Sequence, residues 1–231
     1  MTLVVALEGK DGLVLAADSR STINDQGTLK AKNDGQTKIF RLSQYCAVGI
    51  SGISEIAAQL LDEMQKRITV ESIDDVMQES RDLIRRRYNK WFKAFPLVEK
   101  RPVVSFTIIG LNKTNEGRQK SEKKMYQLTS RLDWAPMLNT TGFVFAGSFQ
   151  YAHYLCLRLY RREMEIKQLC DLAAYLITET ASQDLEVGGP TNIVKIDDKT
   201  GFTQVPAKEV VKIIEKNCKH NEELQSLFFT R

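Results

Sequence analysis

Hydrophobic and polar positions follow two rhythms along this 231-residue chain. The first is strand-like. Apolar runs span Leu3 to Leu7 and Leu13 to Ala17, with Asp11-Gly12 between them as a tight-turn signal. Asp18 and Arg20 close the second run, and strand spacing places both side chains on one face. Ser21 to Gln36 is polar, carries Gly27 and Asn33-Asp34-Gly35, and reads as a loop with one short strand. Thr37 to Leu42 and Tyr45 to Ile50 form another strand pair, which Ser51-Gly52 breaks.

The second rhythm is helical. Ile53, Ile56, Ala57, Leu60, Leu61, Met64 and Ile68 recur at helix spacing. A second helix is expected from Ser72, its N-cap, through Arg85-Arg86-Arg87 to about Phe92, with Asp74 and Asp75 in its first turn. Ala94 to Pro102 connects to a β-branched strand, Val103 to Ile109. Asn112 to Lys124 reads as an exposed hairpin loop and Met125 to Thr129 as the returning strand. Trp134 to Thr141 reads as loop, and Phe143 to Ala146 as a short strand. Helices follow at Phe149 to Met164 and Ile166 to Ala181, and Gly188-Gly189-Pro190 breaks the chain before the strand Asn192 to Ile196. A turn at Asp197 to Gly201, a last strand and a helical tail over 207–231 complete the chain.

Strands, two helices, strands, two helices, strands: paired helices between antiparallel strand groups imply two sheets with helix layers outside. There is no internal repeat, low-complexity stretch or boundary, so residues 1–231 are expected to form one domain.

Composition narrows the function classes. The chain is 42% hydrophobic and 27% charged, with a net charge of +4 and both signs interspersed, which gives no support for nucleic acid as a partner. No apolar run approaches the roughly 20 residues of a membrane helix. The start has no signal-peptide pattern, so the expected compartment is the cytoplasm. The four cysteines (Cys46, Cys156, Cys170 and Cys218) include no C-x-x-C pair and read as free thiols, buried for the first three. His153 and His220 are the only histidines, too few for a Ser-His-Asp or His-rich metal site. His153 reads as a packed or surface side chain. No phosphate-binding glycine loop occurs. No cofactor or metal is expected.

The remaining candidate chemistry is at the front. Initiator Met is usually trimmed before a residue as small as Thr, so loss of Met1 leaves Thr2 with a free α-amine beside its hydroxyl. That amine titrates at about 7.7–8.0 and can serve as base for the hydroxyl.

Thr2, the run from Lys10 to Arg20, Lys38-Ile39-Phe40-Arg41, Gly49 to Gly52 before a helix, Gly147-Ser148 before another, and Asp184 ahead of Gly188-Gly189 occur in one order over residues 2 to about 196. In this order they resemble the β-type subunits of the proteasome family, the N-terminal-nucleophile threonine peptidases. The likeness is greatest to bacterial and ancestral-type members without a long propeptide. The resemblance implies a four-layer α/β/β/α sandwich of two mainly antiparallel sheets. It implies a threonine endopeptidase in which Thr2 attacks a peptide carbonyl to form an acyl-enzyme. Lys38 then matches the lysine beside the hydroxyl, Asp18 the carboxylate that pairs with it, and Arg20 a supporting residue of the same floor. Gly52 matches the backbone oxyanion donor, and Ser148 and Asp184 the pair that orient the amine. Ile50, Ser54 and Ala58 would line an apolar pocket for the side chain before the scissile bond.

Three departures stand out. The gap from Arg20 to Lys38 is longer than usual, with Lys32 as a competing lysine. Val187 stands where the family often has a serine before the glycine pair. Only Met1 precedes Thr2, which fits activation by Met removal. The resemblance further implies a homo-oligomer, a ring or helical stack, enclosing the sites. Its substrates would be unfolded proteins or peptides, and an ATPase unfoldase is left open as a feeder. Two other readings stand beside it. One is a catalytically silent structural subunit, favoured by Val187 or by a retained Met1. The other is a narrow amidase or transpeptidase using the same Thr2.

Overall fold

The computed structural model describes residues 2–25, 28–95, 97–113 and 121–229. Its opening strands, β1 (Leu3–Glu8) and β2 (Gly12–Ala17), are apolar throughout because both of their faces are covered. Alternate side chains divide between two cores. Leu3, Val5, Leu7, Val14 and Ala16 face a helical layer, whereas Val4, Ala6, Leu13, Leu15 and Ala17 face a second sheet. Fully burying one such Leu or Val contributes about 1.5–3 kcal/mol.

Next come β3 (Ser21–Asp25) and β4 (Thr28–Asn33), then β5 (Ile39–Arg41) and β6 (Cys46–Gly52). Helices α1 (Ser54–Arg67) and α2 (Ile73–Trp91) lead to β7 (Val104–Asn112), β8 (Glu122–Thr129), β9 (Met137–Leu138) and β10 (Phe143–Gly147). After α3 (Gln150–Leu159) and α4 (Ile166–Gln183), β11 (Asn192–Asp197), β12 (Gly201–Gln204) and α5 (Ala207–Phe229) complete the described chain. One sheet has the order β10-β1-β2-β11-β12 and the other β5-β6-β7-β8-β9, with every recorded pairing antiparallel. The sheets face each other across Val4, Leu15, Ala47, Ile109 and Val194. Helices α1 and α2 cover one outer face through Leu60, Met64, Ile73 and Ile84. Helices α3, α4 and α5 cover the other through Cys156, Leu169, Leu176 and Val210. The result is the expected α/β/β/α stack.

Several local expectations are corrected. The β1–β2 turn is centred on Lys10-Asp11, closed by the Gly9 N–H on the Gly12 carbonyl at 2.9 Å, because Gly12 is already paired with Asp197 in β2. The polar stretch after Arg20 is a full hairpin, β3–β4, that forms its own two-stranded sheet; Ile23, Leu29 and Ala31 are its apolar residues, too few to mark two strands by hydrophobic pattern. Glu122, Lys123 and Lys124 belong to β8, not the preceding loop, and 114–120 lie outside the described residues. Strand β9 falls within the expected 134–141 loop. Helix α3 stops at Leu159, before the expected Met164, because the Tyr160 hydroxyl donates to the Glu8 carbonyl at 2.7 Å and the Met164 carbonyl accepts the Lys10 N–H at 3.0 Å.

Other expectations hold. The Ser72 hydroxyl caps α2 by accepting from the Asp75 N–H at 3.2 Å. Within the Arg85-Arg86-Arg87 run, Arg85 pairs with Asp133 and Arg87 with Glu63, each at 2.6 Å. His153 packs among the rings of Phe143, Phe145 and Phe149. Cys46, Cys156 and Cys170 are buried. Among the described residues, no helix is long and apolar enough to cross a membrane.

Candidate active site

The site is built around a buried carboxylate where β2 ends. Asp18 is fully buried and, among the described residues, accepts four hydrogen bonds. Its Oδ1 takes the Leu3 N–H at 2.9 Å and the Lys38 ammonium at 2.7 Å. Its Oδ2 takes the N–H groups of Arg20 at 3.1 Å and Gly188 at 3.0 Å. Three strand ends thereby converge on one side chain.

Lys38, immediately before β5, is 2% exposed. Its carbonyl accepts the Ile50 N–H at 2.9 Å, which ties it to β6. Among the described residues its ammonium donates to Asp18 and to the Arg20 carbonyl at 2.5 Å, two of its three N–H bonds, and Lys38 lines the cavity. Burial pushes this ammonium below the ordinary lysine range, and the Asp18 carboxylate pulls the other way. Lys32, the competing lysine, is exposed on β4.

Thr2 is 8% exposed and held by its main chain: its carbonyl accepts the Ser148 N–H at 2.8 Å. Gly147, with φ of +89°, makes this approach possible, since a Cβ there would sit 1.6 Å from the Thr2 oxygen. At the far wall, Gly52 adopts φ of +98°, and a Cβ would meet the Val103 carbonyl at 2.1 Å. The Ile53 N–H donates to that carbonyl at 3.1 Å, while the Ile50 N–H points the other way, to Lys38. Gly52 lies at the end of β6 and lines the same cavity as Lys38.

Thr2, Lys38, Gly52, Ile50 and Ser54 line one cavity of about 310 Å³. Its lining corrects the apolar expectation: Ser21, Thr22, Gln36, Ser51 and Glu55 join Ser54, against Ile50, Ile53 and Ala57. Ala58 is exposed and outside the lining; one residue's turn of α1 presents Ala57 instead.

Three further positions differ from their reading in sequence. Arg20 does not share a strand face with Asp18, because β2 ends at Ala17. Its guanidinium grips Asp34 with two bonds, at 2.7 and 2.9 Å, and donates to the Leu185 and Val187 carbonyls, each at 3.1 Å. Asp184 ends α4 and bonds within its own turn, its Oδ1 accepting the Glu186 N–H at 2.9 Å. Val187 is fully buried against the outer core beside Leu176 and Ile193, so only its backbone serves the site. Sequence reasoning did not single out Asp34 or Ser19, whose hydroxyl donates to the Asp34 and Pro190 carbonyls at 2.8 and 2.7 Å. The signal for Asp34 was the Asn33-Asp34-Gly35 turn, which puts a carboxylate at the return of the hairpin that Arg20 begins.

A family model described as "Proteasome subunit" matches residues 2–196. The chain belongs to the proteasome subunit family. Solved structures of similar fold include Anbu (ancestral beta-subunit) from Yersinia bercovieri, with TM-score 0.73, 15% identity, and 99% of this chain and 97% of that one covered. The helical assembly of the Anbu complex from Pseudomonas aeruginosa gives TM-score 0.77, 17% identity, and coverage of 98% and 95%. An Anbu (Gly-1) mutant from Hyphomicrobium sp. strain MC1 gives 0.71, 16%, and coverage of 100% and 98%. These likenesses extend the family fold over the whole chain, including α5 beyond the matched segment. A comparison with curated protein sequences finds no match.

Proposed function

We propose that this chain is a threonine endopeptidase subunit that works inside a homo-oligomeric chamber, with Thr2 as nucleophile once Met1 is removed. One observation supports the reading: Thr2, Lys38 and Gly52 border a single cavity, and the Lys38 ammonium is paired with buried Asp18. Met1 itself lies outside the described residues.

In the proposed reaction the Thr2 Oγ1 attacks the peptide carbonyl and its proton passes to the α-amine. The Lys38 cation lowers the cost of deprotonating that hydroxyl and keeps the amine unprotonated. The Gly52 N–H receives the carbonyl oxygen as it becomes an oxyanion. The tetrahedral adduct then collapses to an ester, and the ammonium proton leaves with the departing amine. Water, deprotonated by the freed amine, hydrolyses the ester and restores Thr2. Ser148 holds the Thr2 main chain, and we assign Asp184 to the turn whose Leu185 and Val187 carbonyls hold Arg20.

The test is covalent. An epoxyketone requires both the hydroxyl and the free amine of an N-terminal threonine. The purified chain should lose the mass of Met1 and gain one probe mass, mapped to Thr2. A trimmed chain that takes up no probe is instead the silent subunit. Products that join two peptides, with little hydrolysis, indicate transpeptidation.

Burial of Lys38 sets a pH expectation. If its charge is needed, activity falls on the alkaline side as Lys38 loses its proton, below the ordinary lysine value of 10.5. A pH–rate profile whose alkaline limb lies at or above that value overturns this role. The stability sign follows the same shift: the lowered value penalises the folded state at neutral pH, and the penalty lifts as pH rises toward 10.5.

The polar lining sets a substrate expectation. Glu55 is the acid on the cavity wall among the described residues, so peptides with a basic residue before the scissile bond should be cut faster than those with leucine. Since Glu55 is exposed, Glu55→Gln should reduce this preference by only about two- to fivefold. A peptide library in which leucine wins refutes it.

The oligomer has two supports: the helical assembly of the Anbu complex from Pseudomonas aeruginosa, which is similar in fold, and apolar side chains exposed on the outer layer, Tyr151, Tyr154 and Leu157 on α3 and Leu227, Phe228 and Phe229 on α5. Light scattering on the purified chain should give a mass of many subunits.

A further inference from the structure

The Asn33-Asp34-Gly35 turn has a role that the catalytic reading leaves unused. Arg20 touches every fixed part of the charged floor. Its N–H donates to Asp18 Oδ2, its carbonyl accepts from the Lys38 ammonium, and its guanidinium holds the Leu185 and Val187 carbonyls. The next residue, Gly188, returns an N–H to Asp18 at 3.0 Å. The loop after α4 and the strand end at Asp18 are thus joined through one arginine. What fixes that arginine is Asp34, through a two-bond fork at 2.7 and 2.9 Å.

The packing leaves little slack. A Cβ on Gly188 would lie 2.5 Å from the Arg20 guanidinium carbon, and one on Gly189 would lie 2.8 Å from the Asp34 Cβ and 2.7 Å from the Ser19 hydroxyl. The glycine pair is therefore the slot into which the Arg20–Asp34 pair is pressed. The Ser19 hydroxyl, bridging the Asp34 and Pro190 carbonyls, stitches the same three segments on their other side.

We propose that Asp34 is a positioning residue of the peptidase site: it locks Arg20, and through Arg20 it sets the placement of Lys38 and Asp18 beneath Thr2. This rests on the proposed threonine chemistry. The side chain of Asp34 touches no substrate in it. Its contribution is geometric, and a misplacement of about 1 Å at a catalytic group costs on the order of a hundredfold in rate. The Arg20 guanidinium holds the Asp34 carboxyl below the usual carboxylate range, so the pair stays ionised at neutral pH.

The experiment uses the full chain and a β-lactone, which Thr2 opens to form an ester. The inactivation rate constant and the probe's binding constant are measured for the wild type, Asp34→Asn, Asp34→Glu and Arg20→Lys, with melting temperature for each. The expected result for Asp34→Asn is a 10- to 100-fold slower inactivation with binding changed less than about twofold. Arg20→Lys, which cannot fork, should match it, and Asp34→Glu should recover most of the rate. A wild type that labels at Thr2 alongside an Asp34→Asn that labels equally fast overturns the inference and leaves the peptidase reading intact. So does a loss in Asp34→Asn that falls on binding, or one that tracks melting temperature in all three variants. A wild type that does not label removes the peptidase reading, and this inference with it.

Discussion

Thr2→Ala is expected to abolish peptide cleavage, by at least about 10⁴-fold in kcat, without unfolding the chain. The two halves of that expectation have separate grounds. Thr2 is held in place by its backbone: its carbonyl accepts the Ser148 N–H, and the next residue, Leu3, donates its N–H to Asp18. None of those bonds uses the side chain, and Leu3 remains fully buried in the outer core. The hydroxyl, by contrast, has no substitute. Lys38 is already bonded to Asp18 and the Arg20 carbonyl, and no serine on the cavity wall carries its own α-amine. Thr2→Ser restores the hydroxyl and should recover measurable activity. A chain that keeps Met1 should behave as Thr2→Ala does, because the base is then an amide. Cleavage of a fluorogenic peptide by verified Thr2→Ala at more than a few per cent of the wild-type rate would sink the mechanism.

How far this arrangement could be read from sequence depended on which forces fix each residue. β1 and β2 were legible because burial on both faces demands uninterrupted apolar runs, and such runs are short and turn-bounded here. Thr2, Lys38 and Gly52 were brought to one site by the family resemblance, and strand ends then place them there: Thr2 before β1, Lys38 before β5 and Gly52 at the end of β6. Arg20 was misplaced by the same logic: strand periodicity was carried past Ala17, where the ladder ends. Its true partner, Asp34, lies across a polar hairpin whose pairing no hydrophobic pattern announces. The cavity's polarity was hidden for the same reason, since Ser21, Thr22 and Gln36 come from that hairpin and its return. Val187 read as a missing hydroxyl, whereas the fold turns its side chain into the core and uses its carbonyl.

The Asp18–Lys38 pair should separate stability from activity when its partners are removed one at a time. Removing either partner should eliminate most activity, because Lys38 then loses its charge or its orientation. Their effects on folding should be unequal. Asp18→Ala strands three backbone N–H donors, those of Leu3, Arg20 and Gly188, and leaves the 2%-exposed ammonium with only the Arg20 carbonyl. Loss of one partner from a buried pair costs about 3–5 kcal/mol, and the stranded donors put this variant at the upper end. Lys38→Ala leaves Asp18 still accepting three N–H bonds, so the carboxylate keeps most of its partners. It also removes a cation whose burial already opposes its charged state. The expected loss is on the order of 1–3 kcal/mol, and Lys38→Met, which refills the volume, should lose less. Urea unfolding at neutral pH reads the difference through midpoints at constant slope. Equal losses for Asp18→Ala and Lys38→Met would show that the backbone donors do not carry the carboxylate. Near-native stability of an inactive Lys38→Met would show that the lysine is kept for chemistry, at the expense of the fold.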